Sequence, residues 1–477
     1  MKRGRSPSSK AILDAVLPLP TLADWTLLHG SVLALPPTSQ ALRRSLCVVE
    51  EKVPYLKVAA FDLDDTIIMP KTGAVFPRDD PTDWKWLTPA VPGHLRMLHD
   101  GGFLVVIFSN QAGIGGKQWN EKKSDAIKRK IILLSKGLNI PLAAFLSTKD
   151  DLWRKPNVGM WNILQDYASE INKEKVEIRG QSPRHAFYVG DAAGRKVVTL
   201  AGRKRDFSCS DRKFAINIGV PFLTPEQFLS WPEDTLLEDA SESQGGNVRA
   251  ISQRLLSLAQ TPCPVDWGGI SPVELSSLPR SYEGLTINRI TAEGRTGMLT
   301  LASPTTFHRD LQEMILFVGY PSCGKTTFFE RFLKPHGYVH VNRDKLQTKE
   351  RCISEATKSW NEGKSVVVDN TNPSHDDCKS FLKIIGLKCS SKGTLPVRLF
   401  LFKASKELSM HMSTVRARLG IAPKISRIAF NVFQSKYDAW DARSVKSMNI
   451  EELLEIPPVV CFDGLPEGAM REFFMLS

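Results

Sequence analysis

The 477-residue chain has no apolar run near the roughly 20 residues that a bilayer-spanning helix needs. Its eight cysteines are scattered, with no C-x-x-C pair. That spacing excludes the usual zinc sites and a disulfide framework, and it fits a reducing compartment. No internal repeat is present, which excludes solenoids and propellers. The basic opening MKRGR is followed by Asp14, Pro18 and Pro20, which break the apolar stretch a secretory leader requires. Lys2, Arg3 and Arg5 read as a weak nuclear or mitochondrial address, or simply as a frayed basic end. What is present is an ordinary folding composition, 42% hydrophobic and 24% charged. Lys and Arg outnumber Asp and Glu by 63 to 51, a net charge of +12. Such a surplus favours polyanionic partners without choosing between nucleic acid and acidic membrane.

The length predicts two to three domains, at about 150 residues each. Two blocks of apolar runs alternate with helical patterns. The first block has strands at 58–62, 103–109, 186–191 and 215–220; the second has them at 314–319, 338–344, 365–369 and 397–402. These runs lack polar alternation, as strands covered on both faces do. The predicted fold is α/β, two doubly wound parallel-sheet domains in series. We place the boundaries at 1–50 for a partly disordered N-terminal segment, 51–235 for the first domain, 236–310 for a connection and 311–477 for the second domain. Apolar residues at 25–35 predict an edge strand or a segment packed on the first domain. Within the connection, 247–260 reads as one amphipathic helix.

The first predicted strand ends in Asp62-Leu63-Asp64-Asp65-Thr66, a DxDxT pattern. Strand ends in open α/β sheets are where ligands gather. Carboxylates at i and i+2 point to one side of an extended chain, so one can attack phosphorus while the other handles protons. A carboxylate nucleophile needs a cation to approach a phosphate dianion. Ser109 closes the next strand and can bond a phosphoryl oxygen. Lys155, in RKP, can balance charge, and Asp191, in YVGDAAGR, offers a hard oxygen to Mg²⁺. About 43 residues separate Thr66 from Ser109, and about 46 separate Ser109 from Lys155. Crossover helices use most of both intervals. An uncapped site that admits the end of a polymer follows. Trp84 and Trp86 read either as base-stacking rings or as loop anchors.

The second block opens on 319–326, GYPSCGKT, a GxxxxGKT loop between a strand and a helical run. Gly319, Ser322, Gly324 and the following Thr327 shape a cradle of backbone N–H groups; Lys325 reaches the β and γ phosphates, and Thr326 holds Mg²⁺. The next strand runs into Asp344, placed to take a proton from an attacking hydroxyl, as in a kinase. Asp369 ends VVVD as a metal-facing carboxylate or an orienting one. Arg416 is the candidate lid arginine, whereas Arg418 reads as an exposed helix charge.

The set Asp62, Asp64, Ser109, Lys155 and Asp191 resembles the haloacid-dehalogenase phosphatase superfamily. That resemblance implies an aspartyl-phosphate on Asp62 and acid–base work by Asp64. It also implies Mg²⁺ on the Asp62 and Asp191 carboxylates and the Asp64 carbonyl. The order of the two halves, and the strings VAAFDLDDTI, SNQAGIG, RKP, YVGDAAGR, DFSCSDRKF, GYPSCGKTTF, HVNRD and VDNTNP, resemble the bifunctional polynucleotide kinase 3′-phosphatase family over about 52–232 and 311–457. The implied fold is haloacid-dehalogenase-like, then P-loop kinase. The implied function is removal of 3′-phosphate and ATP-dependent phosphorylation of 5′-hydroxyl DNA ends before ligation, by a nuclear monomer with a second, mitochondrial pool. The implied partners are DNA ends and DNA repair proteins, with no membrane. Asp206 and Asp211 fall in its DFSCSDR signature, with Asp211 supporting the metal site. An arginine the family carries after NTNP is missing, and Lys379 stands nearest to replace it. The N-terminal phosphopeptide-binding domain of many animal members has no room, so recruitment through it is not expected. Two rival readings are a metabolic phosphatase–kinase fusion acting on small phosphorylated molecules, and a binding protein with a drifted kinase half.

Overall fold

The computed structural model describes residues 17–48, 53–74, 78–196, 205–230, 265–301, 307–386, 394–460 and 465–477. The chain divides into two compact units, Met1–Gly268 with Met475–Ser477, and Gly269–Phe474. Each carries its own seven-stranded sheet.

The first sheet contains β1 (Thr26–Leu28), β2 (Val32–Leu35), β3 (Val58–Phe61), β4 (Leu104–Asn110), β5 (Ala143–Ser147), β6 (Ala186–Val189) and β7 (Phe222–Leu223). Their order is β1-β2-β5-β4-β3-β6-β7. The five strands from β5 to β7 are parallel, and the β1–β2 hairpin adds an antiparallel edge. The chain moves from β3 outward to β4 and β5, then returns to lay β6 and β7 on the other side. β3 therefore sits at the switch point, where a crevice opens past the strand ends. Ala59 and Phe61 join a core with Leu95 of α1 (Val91–Asp100) and Ile131 of α2 (Glu121–Leu138). Val58 and Ala60 join the opposite core with Leu164 of α3 (Gly159–Asn172) and Phe214 of α4 (Ser210–Ile218). Both faces are covered, which is why this strand reads VAAF without alternation.

One reading changes in this unit, and the edge strand expected at 25–35 is found. Residues 215–220 are not a strand: they finish α4, which Gly219 ends at φ 73. Phe214 and Ala215 are buried while Ile216 is 46% exposed, a helical pattern that a six-residue window hides. The 25–35 segment forms the β1–β2 hairpin and pairs with β5.

The second sheet contains β8 (Thr286–Thr291), β9 (Thr296–Thr300), β10 (Met314–Val318), β11 (Val339–Asn342), β12 (Val366–Asp369), β13 (Leu395–Phe402) and β14 (Ile450–Ile456). Their order is β9-β8-β14-β13-β10-β12-β11. β14 through β11 are parallel, and β8 runs antiparallel to both of its neighbours. Again the strand that feeds the predicted loop, β10, is central.

The connection drawn at 236–310 is therefore too long. From Gly269 the chain belongs to the second unit. β8 and β9 extend its sheet, and Tyr282 and Phe307 enter its aromatic core, Phe307 lying 4.7 Å from the Phe328 ring. TINRIT shows no continuous apolar run: only Ile287 and Ile290 are buried, and the residues around them are polar and at least partly exposed. The helix expected at 247–260 and the basic residues at 2–5 lie outside the described residues.

One charge sits inside this core. Arg398, on β13, is 1% exposed. Its guanidinium donates to both Glu313 oxygens at 2.6 and 2.5 Å and to the Phe307 carbonyl at 2.7 Å. Tyr338 also donates to Glu313. Glu452 Oε1, 3.6 Å from Arg398 Nη1, is a second and longer partner; losing the bidentate one leaves the buried guanidinium poorly compensated, which costs up to about 3–5 kcal/mol. Glu313→Ala should lower stability by that amount in urea unfolding followed by tryptophan fluorescence. A change below about 1 kcal/mol would contradict the role given to the pair.

Candidate active sites

In the first unit, Asp62 follows β3 directly, and its backbone N–H donates to the Val189 carbonyl of β6 at 2.8 Å. Lys155 arrives from beyond β5 and is 3% exposed. Its Nζ donates to Asp62 Oδ1 at 2.6 Å, to Asp211 Oδ1 at 2.7 Å and to the Tyr188 hydroxyl at 2.8 Å. Asp191 follows β6, and its N–H donates to Thr66 Oγ1 at 3.0 Å. Carboxylate oxygens of Asp62, Asp191 and Asp211 all lie within 4.8 Å of one another. Asp64 stands beside this group. Gln111 Nε2 donates to Asp64 Oδ2 and to Ser109 Oγ, each at 3.0 Å.

Burial pushes the Asp62 carboxyl up to about 7, even against Lys155. Burial also raises Asp64 and, with help from Asp211 and Asp62, carries Asp191 well above the carboxylate range. Burial alone would lower Lys155, but Asp211 and Asp62 beside it hold it up. Four carboxylates and one lysine leave the crevice short of positive charge. Asp211 is already engaged by Lys155, Tyr188 and the Ala192 N–H (3.0 Å), so it orients rather than reaches. Asp62 and Asp191 are the carboxylates left to receive a hard cation, and the donor set fits one.

In the second unit, β10 runs into the loop and the loop into α5 (Lys325–Phe332). A Cβ at Gly319 would stand 2.8 Å from Cys323 Sγ and 2.9 Å from Phe402 Cβ, so the first glycine is required by packing. Ser322 and Gly324 hold φ of 58 and 98. The N–H groups of Lys325, Thr326 and Thr327 open α5 and so have no acceptor within the helix. Lys325 Nζ donates back to the Gly319 and Tyr320 carbonyls at 3.0 and 2.7 Å. Thr326 Oγ1 donates to Asp369 Oδ2 at 2.6 Å. The same oxygen meets His340 Nε2 at 2.9 Å and Asn342 Nδ2 at 3.0 Å. Burial would raise Asp369, but the bond to His340, the Lys325 charge and Thr326 together hold it low. Asp344 is exposed, two residues past β11, with its N–H bonded to Asn342 Oδ1 at 2.8 Å.

Other expectations fare unevenly. Arg416 is half-buried on the helix Lys406–Arg418, and among the described residues no hydrogen bond or ion pair joins its side chain to the loop. Arg418 is not the exposed charge expected of it. Its side chain is 6% exposed and bonds the Glu472 carbonyl at 3.2 Å, and burial lowers it to about 10. Lys379 pairs with Asp376 at 2.9 Å. Trp84 and Trp86 pack edge to face at 5.1 Å against the first core, as loop anchors do.

Residues 57–229 match the family model described as polynucleotide kinase 3 phosphatase. A putative bifunctional polynucleotide phosphatase/kinase of Acanthamoeba polyphaga mimivirus is 31% identical over 400 residues, covering 80% of this chain and 81% of that protein. The chain belongs to the bifunctional polynucleotide phosphatase/kinase family. The bifunctional polynucleotide phosphatase/kinase of Schizosaccharomyces pombe is 30% identical over 385 residues, 80% of this chain and 76% of its own length. The family model lies within the first unit; the longer alignments tie the second unit to the same family.

Several residues that complete these family sites escaped the sequence reading. Gln111 lies in SNQAGIG but carries no charge to attract notice. Tyr188 reads as core because it is inside a strand. His340 and Asn342 converge on Asp369 only after β11 and β12 pair. Gln111→Ala should lower 3′-phosphatase kcat/KM about 10-fold or more, the worth of a hydrogen bond to a charged group, with the kinase rate unchanged. Parallel assays of both activities on the full chain check it, and an equal fall in both would point to misfolding instead.

Proposed function

We propose that the chain heals broken DNA strands. The first unit removes a 3′-phosphate, and the second phosphorylates a 5′-hydroxyl with ATP, leaving ends ready for ligation. The observation that carries this reading is the presence of a buried carboxylate–lysine phosphate site and a P-loop site in one chain of this family. Opposed reactions on one group would only consume nucleotide. On the two sides of a strand break they complement each other. The nucleus, with DNA repair proteins as partners, is the setting this reading implies.

In the phosphatase, Lys155 holds one oxygen of Asp62, leaving the other to attack phosphorus. The aspartyl–phosphate bond forms as the bond to the 3′-oxygen breaks. Asp64, raised by burial, gives its proton to that departing oxygen. It then takes a proton from the water that attacks the same phosphorus, the bond to Asp62 breaks, and inorganic phosphate leaves. Ser109 Oγ donates to a phosphoryl oxygen. Mg²⁺ on Asp62, Asp191 and the Asp64 carbonyl would offset the charge between nucleophile and phosphate. In the kinase, Gly319, Ser322, Gly324 and Thr327 would shape the cradle for ATP, Lys325 and Thr326 would hold its phosphates and Mg²⁺, and Arg416 would cover the transferred group. Asp344 accepts the proton of the 5′-hydroxyl as its oxygen bonds to the γ-phosphorus and the bond to ADP breaks.

The test is nicked duplex DNA with 3′-phosphate and 5′-hydroxyl ends, incubated with pure protein, Mg²⁺ and ATP. DNA ligase should then seal the nick. Unchanged ends would reject the reading, and faster turnover of sugar phosphates than of DNA would favour the metabolic alternative.

A further inference from the structure

The phosphatase steps above need one ammonium in one place, and Lys155 supplies it from a loop. Its Nζ meets Asp62, Asp211 and Tyr188, but its main chain lies in neither a helix nor a strand. A loop residue has no ladder of hydrogen bonds to fix the point from which its side chain starts. Among the described residues, neither the Lys155 N–H nor its carbonyl has a main-chain partner. One side chain takes both. Asn110 Oδ1 accepts from the Lys155 N–H at 2.9 Å, and Asn110 Nδ2 donates to the Lys155 carbonyl at 3.1 Å. The amide thus pairs with this residue as a neighbouring strand would.

Asn110 is itself well anchored. It is the last residue of β4, in register with Ser147 of β5. It stands between Ser109, the phosphoryl contact in the steps above, and Gln111, which donates to Asp64 and Ser109. A second amide holds the next carbonyl of the loop: Asn217 Nδ2 donates to that of Pro156 at 2.8 Å. Asn217 lies on α4, the helix that carries Asp211. The loop is therefore tied to the carboxylates through Asn217 and to the strand of Ser109 through Asn110. We propose that Asn110 is a positioning residue for phosphoryl transfer: it sets the Lys155 ammonium against the Ser109 hydroxyl, so that both meet one phosphate. The inference rests on the phosphatase reading above. A lysine stem is long and flexible, so its aim depends on where the backbone is held. An error of about 1 Å in such an aim costs about 10²-fold in rate. Charge attraction demands less. Without Asn110 the ammonium would stay with Asp62 and Asp211, and the fold with it, while its place against Ser109 would spread.

Steady-state kinetics of the full chain with Mg²⁺ test this on an oligonucleotide 3′-phosphate and on p-nitrophenyl phosphate. Asn110→Ala should lower kcat about 10- to 100-fold on both, because the phosphoryl group is common to them, with KM held within about 3-fold. The kinase rate should not change. Lys155→Arg keeps the buried charge but replaces a compact ammonium with a planar group. In that background Asn110→Ala should cost less than about 3-fold, since the aim it would spoil is already lost. Losses that multiply in the double variant would show that Asn110 acts apart from Lys155. A fall below about 3-fold in the single variant would make the amide a loop fastener without effect on transfer. A KM that rises as far as kcat falls would signal a disordered site. Each of these results overturns the proposal. The phosphatase reading fails separately, if the unaltered chain releases phosphate from neither substrate, and the polynucleotide reading if it does not prefer the oligonucleotide.

Discussion

Asp62→Asn should abolish phosphate release from a 3′-phosphate end, by about 10⁴-fold or more, the scale seen when a covalent nucleophile is removed. An amide offers phosphorus no anionic oxygen. The fold should survive, because Lys155 keeps Asp211 at 2.7 Å and Tyr188 at 2.8 Å. The change also removes one of four crowded carboxylates, whose burial and mutual repulsion raise Asp62 to about 7 and carry Asp191 well above the carboxylate range. The melting temperature should therefore hold steady or rise. Kinase activity on the same preparation should be intact. Phosphatase activity within 10-fold of the unaltered chain would remove Asp62 from the nucleophile's role.

Lys325→Ala should do the reverse. Kinase kcat should fall about 10²- to 10³-fold, the loss typical of one preorganised charge at a transition state. Phosphatase should be unaffected. The ammonium now rests on the Gly319 and Tyr320 carbonyls and is 7% exposed. A triphosphate must draw it off those oxygens, so the loop already holds a positive charge at the place where phosphate will lie. Lys325→Arg should not rescue, because a planar guanidinium does not fit a space shaped for a compact ammonium. Retention of more than a tenth of the kinase rate in Lys325→Ala would refute the assignment.

The residues legible in the sequence are those that a parallel sheet delivers by position alone. Asp62, Ser109 and Asp191 each sit at or just past the end of an apolar strand, and the sheet brings those ends to one edge. Lys155 follows from the same logic after β5, a strand the apolar pattern did not announce. What was not legible depends on direction rather than on sequence distance. Gln111 joins Asp64 to Ser109 because of where its side chain turns after β4. Tyr188 braces Lys155 from inside a strand. Arg398 and Glu313 are 85 residues apart and meet only once β13 pairs with β10. The β8–β9 hairpin, half polar by necessity, looked like linker. Charges inside apolar runs, such as Arg398 in VRLFLF, are the sequence signal of such buried pairs.

Little chain is spent around Asp62 among the described residues. From β3 to β4 there is a pair of two-residue strands, Ile68–Met69 with Lys85–Trp86, and α1; from β4 to β5 there is α2. With no gate among the described residues between these strands, a catalyst of this build would have its pace set by encounter and bond-breaking rather than by a hinge. The same openness removes a defence. Under the mechanism proposed above, any alcohol dissolved nearby would approach a phosphorylated Asp62 as freely as water does, and selectivity would rest on the walls of the crevice instead of on a door.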